Sequence, residues 1–330
     1  MLKEYKRKLE LDKNINFTEV PVKTWSDLIS VEKTHRSKYD VPNKETEWIF
    51  RGTSKAEYPL RTTLERDISN IMGIDANNRE HEKKLKDHLK KGLKDVSINK
   101  IESGLLRKFK RQCHHYTARI PEENNVIEWL ALMRHYGAPS RLLDWTYSFY
   151  VAVFFALEHA NQECAVWALE KYSLKKNREY KIPDQIWEVL SQDDDVEDCT
   201  TWKKVFKRSK PVPFVYPVTP LKLNERIVIQ QGDFLCQGDI SKTFEENLAA
   251  VLPNKKEKKD CGLFKYKINF NAEEYKEALL NLHRMNINRA SLFPGLGGFA
   301  QSLKTLLLSP KNLIKADDDC KDKKVYKNQM

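Results

Sequence analysis

Apolar residues in this chain recur with different periods, and the changes of period mark out its elements. Val126, Ile127, Leu130, Met133 and Tyr136 fall at helical spacing behind Asn125, whose side chain can cap the first turn, while Gly137 and Pro139 end the run. A helix over 126–136 is predicted. Residues 148–160 are apolar on nearly every side, which predicts a buried helix, and Ala165-Val166-Trp167-Ala168-Leu169 reads as a buried strand. Glu47-Trp48-Ile49-Phe50-Arg51-Gly52 predicts a strand that ends at a glycine, with Arg51 at its end. The run 226–234 predicts a strand leading into a turn, and 264–270 another.

Elsewhere the pattern is more polar. Residues 1–20 read as a basic, loosely ordered start, followed by a short helix over 25–32 opened by Thr24. Two basic helices with Leu/Phe stripes, 79–93 and 101–116, form a helical insertion at about 79–120. Residues 171–212 form an exposed excursion, and its acid run 193–195 lacks the glycine a calcium loop needs. Four prolines between 211 and 220 bracket an extended segment, and 254–260 is a charged loop. Helices over 272–285 and 300–308 flank a glycine-rich stretch at 291–298. Those glycines follow a helix and a proline loop rather than a buried strand, which favours a helix–helix turn over a dinucleotide fingerprint. The order predicts an α+β fold on a mixed β-sheet core. One elaborated domain over 47–308 is expected, after a basic segment with a short helix (1–46) and before a charged tail (309–330).

Composition adds three bounds. With 330 residues, 40% of them apolar, the chain can build a sizeable core. No cationic, apolar leader opens it, and its longest apolar run, 150–157, is too short to span a bilayer, so a soluble cytoplasmic protein without a membrane partner is expected. A net charge of +11 draws polyanions. If the substrate is a polyanion, the basic helices offer a nucleic-acid-facing surface; the interleaved Glu80, Glu82 and Asp87 instead give the pattern of an ordinary solvated face. The six cysteines include no C-x-x-C pair, and in Cys113-His114-His115 adjacent side chains diverge, so no metal is expected.

The chemistry gathers where the 126–136 helix ends. His135, Ser140, Arg141, Asp144, Trp145 and Thr146 supply acid/base, anion-binding, hydroxyl and stacking groups within a dozen residues, as cleft sites do. The same spacing also fits an internal Arg141–Asp144 ion pair that fixes the fold.

Phe50-Arg51-Gly52, the block His135-Tyr136-Gly137-Ala138-Pro139-Ser140-Arg141-Leu142-Leu143-Asp144-Trp145-Thr146, Arg226 with Gln230-Gln231-Gly232-Asp233-Phe234, and Leu292-Phe293-Pro294 together resemble the bacterial FRG-domain family. This resemblance spans 47–308 and implies that the separated segments belong to one domain. A weaker resemblance is to ADP-ribosyltransferases. There an Arg-Gly ends a first strand, and a second strand carrying Ser/Thr leads into an Ala/Phe-rich helix and a further strand. Arg51-Gly52, Leu143-Asp144-Trp145-Thr146, Phe154-Phe155-Ala156-Leu157 and Val166-Trp167-Ala168-Leu169 follow that order.

By this second resemblance the sheet is ADP-ribosyltransferase-like and NAD is the substrate. Arg51 holds its phosphates, Thr146 orients the nicotinamide ribose, and Tyr136 or Trp145 stacks on nicotinamide; Gly52, Ser140 and Gln231 complete the cofactor-binding set. The family's catalytic Glu, expected on a late strand, is matched by Arg226, with Glu225 one residue away. Asp144 and Glu225 are therefore the candidate carboxylates, with His135 and Arg141 beside them in the catalytic set. The function implied is transfer of ADP-ribose to a macromolecule, a nucleic acid or a protein, by a toxin or phage-defence effector. A nucleotide- or nucleic-acid-binding module without turnover is the competing reading.

Overall fold

The computed structural model describes residues 15–37, 47–75, 77–78, 81–94, 96–171, 174, 199–206, 210–220, 225–252 and 262–307. The acid run 193–195, the loop 254–260 and the tail 309–330 lie outside the described residues.

In chain order the elements are β1 (Thr18–Val22), α1 (Trp25–Ser37), β2 (Trp48–Thr53), α2 (Thr63–Ile71), α3 (Glu82–Lys91), α4 (Ile98–Gln112), a 3-10 turn (Cys113–His115), α5 (Val126–His135), β3 (Leu142–Thr146), α6 (Phe149–Leu157), β4 (Cys164–Glu170), α7 (Cys199–Phe206), β5 (Val215–Val218), α8 (Glu225–Ile229), β6 (Gly232–Gln237), α9 (Phe244–Val251), β7 (Leu263–Ile268), α10 (Ala272–Arg284), α11 (Arg289–Leu292) and α12 (Leu296–Leu306). Side-chain caps start several helices, and the Asn125 cap is one the sequence indicates. Asn125 accepts from the Glu128 amide at 3.1 Å, Ser148 from that of Val151 at 3.3 Å, and Thr243 forms a reciprocal capping box with Glu246.

The strands form one seven-stranded sheet in the order β1-β7-β4-β2-β3-β6-β5, antiparallel except where β1 runs parallel to β7. This is an α+β arrangement. Alternation along the central strands divides the core. Trp48 and Phe50 of β2, with Val166 and Ala168 of β4, face α6, whereas Ile49, Trp167 and Leu169 face the layer that includes α5 and α9. Because the central strands are covered on both faces, 165–169 reads as an unbroken apolar run.

Three elements depart from the sequence pattern. Residues 18–22, inside the loosely ordered start, form the edge strand β1. Residues 225–229 form a short helix instead of a strand: Ile227 is buried, while Val228 and Ile229 are exposed. A β-branched run this short has no periodicity that separates strand from helix, and its surroundings decide. Within the polar excursion, α7 buries Trp202 and Phe206 against the core. Among the described residues no helix is long and apolar enough to cross a membrane.

One join in the sheet is weak. Six residue pairs hold β2 to β4 and five hold β3 to β6, but β2 and β3 are in register at Phe50–Thr146 alone. Beyond that pair the strands separate.

Candidate active site

The separation of β2 and β3 opens a cleft of about 520 Å³, within the size range of small-molecule sites. Arg51 reaches across the gap and donates from Nη1 to the backbone carbonyl of Asp144 at 2.6 Å, a group that a paired strand would have taken. The Asp144 carboxylate is gripped on one side. Its Oδ2 accepts from Arg134 Nε at 2.9 Å and from Arg134 Nη2, and lies 3.8 Å from Arg51 Nη1, while Oδ1 has no partner among the described residues. With 39% of its side chain accessible, Asp144 faces the cleft. Burial opposes its charge, but Arg134, Arg51 and Arg226 outweigh it and hold the carboxyl below the usual range, so it is ionised at neutral pH.

Arginines dominate the walls. Arg51, Arg66 from α2, Arg134 from α5, Arg226 from α8 and Arg289 from α11 all line the cleft, against two carboxylates, Asp144 and Glu158. Arg289 donates to Glu158 at 2.6 Å, and the guanidiniums of Arg226 and Arg289 lie 4.3 and 4.0 Å from the ring centroid of Phe293. The side chains of Arg66 and Arg226 have neither a hydrogen-bond nor an ion-pair partner among the described residues. Burial, and then repulsion from Arg134, pull the Arg66 guanidinium down; burial acts likewise on Arg226, where Asp144 attracts and Arg134 and Arg289 repel. Burial lowers Arg51 to about 10, still protonated at pH 7. The cleft therefore lacks negative charge. His135 also lines it, held below the ordinary histidine range by burial and by Arg226.

Several expected site residues lie elsewhere or act differently. Arg141 is fully buried outside the cleft: its guanidinium forks onto Glu102 of α4, with Nε donating to Oε1 at 2.5 Å, and stacks 5.0 Å from the centroid of Trp202. It pairs with Glu102 rather than with Asp144: Arg141 precedes β3 by one residue, an odd separation along extended backbone turns it away from Asp144, and Glu102 answers its charge from the other side. Ser140 is buried beside it and bonds the Leu130 carbonyl at 3.4 Å. Gly52 lines the cleft and also lets α6 cross directly over it. Trp145 lines the cleft although only 2% of it is exposed, whereas Tyr136 is 63% exposed at the end of α5, outside the lining. Thr146 does line the cleft, but its hydroxyl is engaged, donating to the Gln230 carbonyl at 2.6 Å and accepting from the Ser148 amide at 3.0 Å. Gln231, at φ 48°, turns outward, and its neighbour Gln230 lines the cleft in its place. Glu225 opens α8, exposed and outside the lining.

Sequence reasoning missed Arg66, Arg134 and Arg289. For Arg134 a signal existed: it sits four residues after Leu130 and seven after Ile127, inside the apolar stripe of its own helix. Arg66 and Arg289 come from distant segments and carry no comparable mark. Among the described residues no group of three or more His, Cys, Asp or Glu side chains is placed to hold a metal ion.

Comparison with known proteins agrees with part of this picture. Residues 46–165 match the family model of the FRG domain, a span that contains Arg51, Arg66, Arg134, His135 and Asp144. Arg226, Arg289 and Phe293 lie beyond the match and complete the same cleft. No curated protein and no solved structure matches the chain.

Proposed function

We propose, from the premise that this chain carries an FRG domain, that the cleft binds NAD and that the domain transfers its ADP-ribose to a macromolecular acceptor. The observation that carries this reading is the pair of guanidiniums, Arg66 and Arg226, that have no hydrogen-bond or ion-pair partner among the described residues, set beside a carboxylate with one oxygen unclaimed among them. Planar forks of this kind suit a pyrophosphate, to which each donates several charge-assisted hydrogen bonds. Asp144 serves the other end of the ligand. As the bond between ribose C1′ and the pyridinium nitrogen breaks, nicotinamide leaves neutral with the bonding pair, and positive charge develops on C1′ and the ring oxygen. A carboxylate already held ionised by Arg134 stabilises that charge without reorganising. The acceptor's nucleophile then bonds to C1′ and gives its proton to His135, which is neutral at pH 7.

The position of Glu225 outside the cleft favours a second reading, in which NAD is held without transfer. Incubating the full chain with NAD separates the two. Release of free nicotinamide supports transfer; saturable binding by calorimetry without release supports the second reading. Asp144→Asn keeps the shape and removes the charge, so turnover should fall by about 100-fold or more while NAD affinity changes little. Arg66→Ala should weaken NAD binding by about 1.5–3 kcal/mol, the range for hydrogen bonds to charged groups. Full affinity in Arg66→Ala would remove this cleft from consideration.

A further inference from the structure

The outward face of the insertion is more basic than its composition suggests. On α3 and α4 the acids are Glu82, Asp87 and Glu102, and two of these turn inward. Glu102 is buried on Arg141, and Glu82 is buried between Arg61 and Lys86. The exposed charged residues are Lys100, Arg107, Lys108 and Arg111 on α4, and four lysines with one acid, Asp87, on α3.

Two further observations lie on α4 and just past it. Gly104 sits in the middle of α4, where glycine costs about 0.5–1 kcal/mol relative to alanine, yet a Cβ there would meet nothing within 4 Å. Packing does not account for it. The gap leaves a shallow depression lined by Asn99, Lys100, Ser103, Gly104 and Arg107, three and four residues apart on one side of the helix. Just past the helix, Tyr116 is 88% exposed, far more than an aromatic ring gains from.

We propose that this face binds single-stranded nucleic acid, with phosphates entering the Gly104 depression between Lys100 and Arg107 and a base stacking on Tyr116. A glycine lets a phosphate approach the helix backbone that a side chain would hold off, and an exposed ring takes any base because every base has a stacking face. The inference stands apart from the NAD reading, since it concerns a different face and needs no turnover.

The test uses the full chain without NAD and 5′-labelled 20-nucleotide single strands, one RNA and one DNA, titrated by fluorescence anisotropy at several salt concentrations. Binding that weakens with salt is expected. The triple variant Lys100→Ala, Arg107→Ala, Arg111→Ala should flatten the slope of log affinity against log salt by about 2, at roughly 0.7 per lost single-strand phosphate contact. Gly104→Leu fills the depression with a better helix former, so its melting temperature should hold or rise while binding falls. Tyr116→Ala should weaken binding about tenfold, within the range for one stacked base. Comparison of the RNA and DNA arms assigns the sugar. Absence of salt-dependent binding to either strand, an unchanged slope in the triple variant, or full binding by both Gly104→Leu and Tyr116→Ala overturns the proposal.

Discussion

A Cβ on Gly52 would lie 2.1 Å from the Ala152 carbonyl oxygen and 2.5 Å from the Ala156 amide nitrogen, inside the backbone of α6. Neither contact can be relieved by turning a side chain. Gly52→Ala should therefore destabilise the fold by roughly 1–3 kcal/mol or more, the range for overpacking a close-packed core, read as a lowered denaturation midpoint. Alanine at wild-type stability would show that α6 can shift away. At this scale the sequence was legible in part. Asp144 and His135 of the motif block line the cleft, because a polar cluster between two buried elements has few places to go, and Arg51 lines it from the end of its strand. Arg141 carried the same mark and went the other way, since its partner Glu102 lies 39 residues upstream and nothing local announces it.

That Arg141–Glu102 pair works at the scale of elements. It fastens α4, the central helix of the insertion, to the start of β3, three residues before Asp144. Arg141→Met alone takes the guanidinium fork from the buried Glu102 and should cost about 3–5 kcal/mol, whereas the double variant Arg141→Met, Glu102→Met should recover much of that loss. A double-mutant cycle by chemical denaturation measures the coupling, and additive losses would mean the two side chains do not act as a pair. The helix α5 was legible from its stripe and its cap. The five-residue α8 was not, because Ile227-Val228-Ile229 has strand chemistry and takes its helical form from its surroundings, with Ile227 packed beneath Gly232.

At the scale of the whole molecule, Glu65 joins segments far apart in the chain. Its Oε1 accepts from the Phe244 amide at 2.9 Å and from the Thr62 hydroxyl at 3.2 Å, and Leu60 reaches Glu245 in the same way at 3.0 Å. The FRG segment is thereby tied to α9, beyond the family match. Burial raises the Glu65 carboxyl to about 7 despite Arg61 at 3.5 Å. A folded-state value above the unfolded one gives stability that is complete below about pH 4.5 and is lost as pH rises through 7. Relative to Glu65→Gln, the parent should lose about 3 kcal/mol across that window, at 1.36 kcal/mol per pKa unit. Denaturation midpoints from pH 4.5 to 7.5 check this, and parallel curves for parent and variant would place Glu65 in the ordinary carboxylate range.

The single register pair between β2 and β3 also sets the compliance of the sheet. Rotating the leaf β1-β7-β4-β2 against the leaf β3-β6-β5 strains one rung at Phe50–Thr146, whereas parting any other neighbours breaks four or more. The line of least resistance runs through the cleft floor, beneath Arg51 and Asp144. A ligand that bridges Arg51 on β2 to Arg226, on the helix that leads into β6, would add to the Arg51–Asp144 bond there and stiffen the sheet where it is most easily parted.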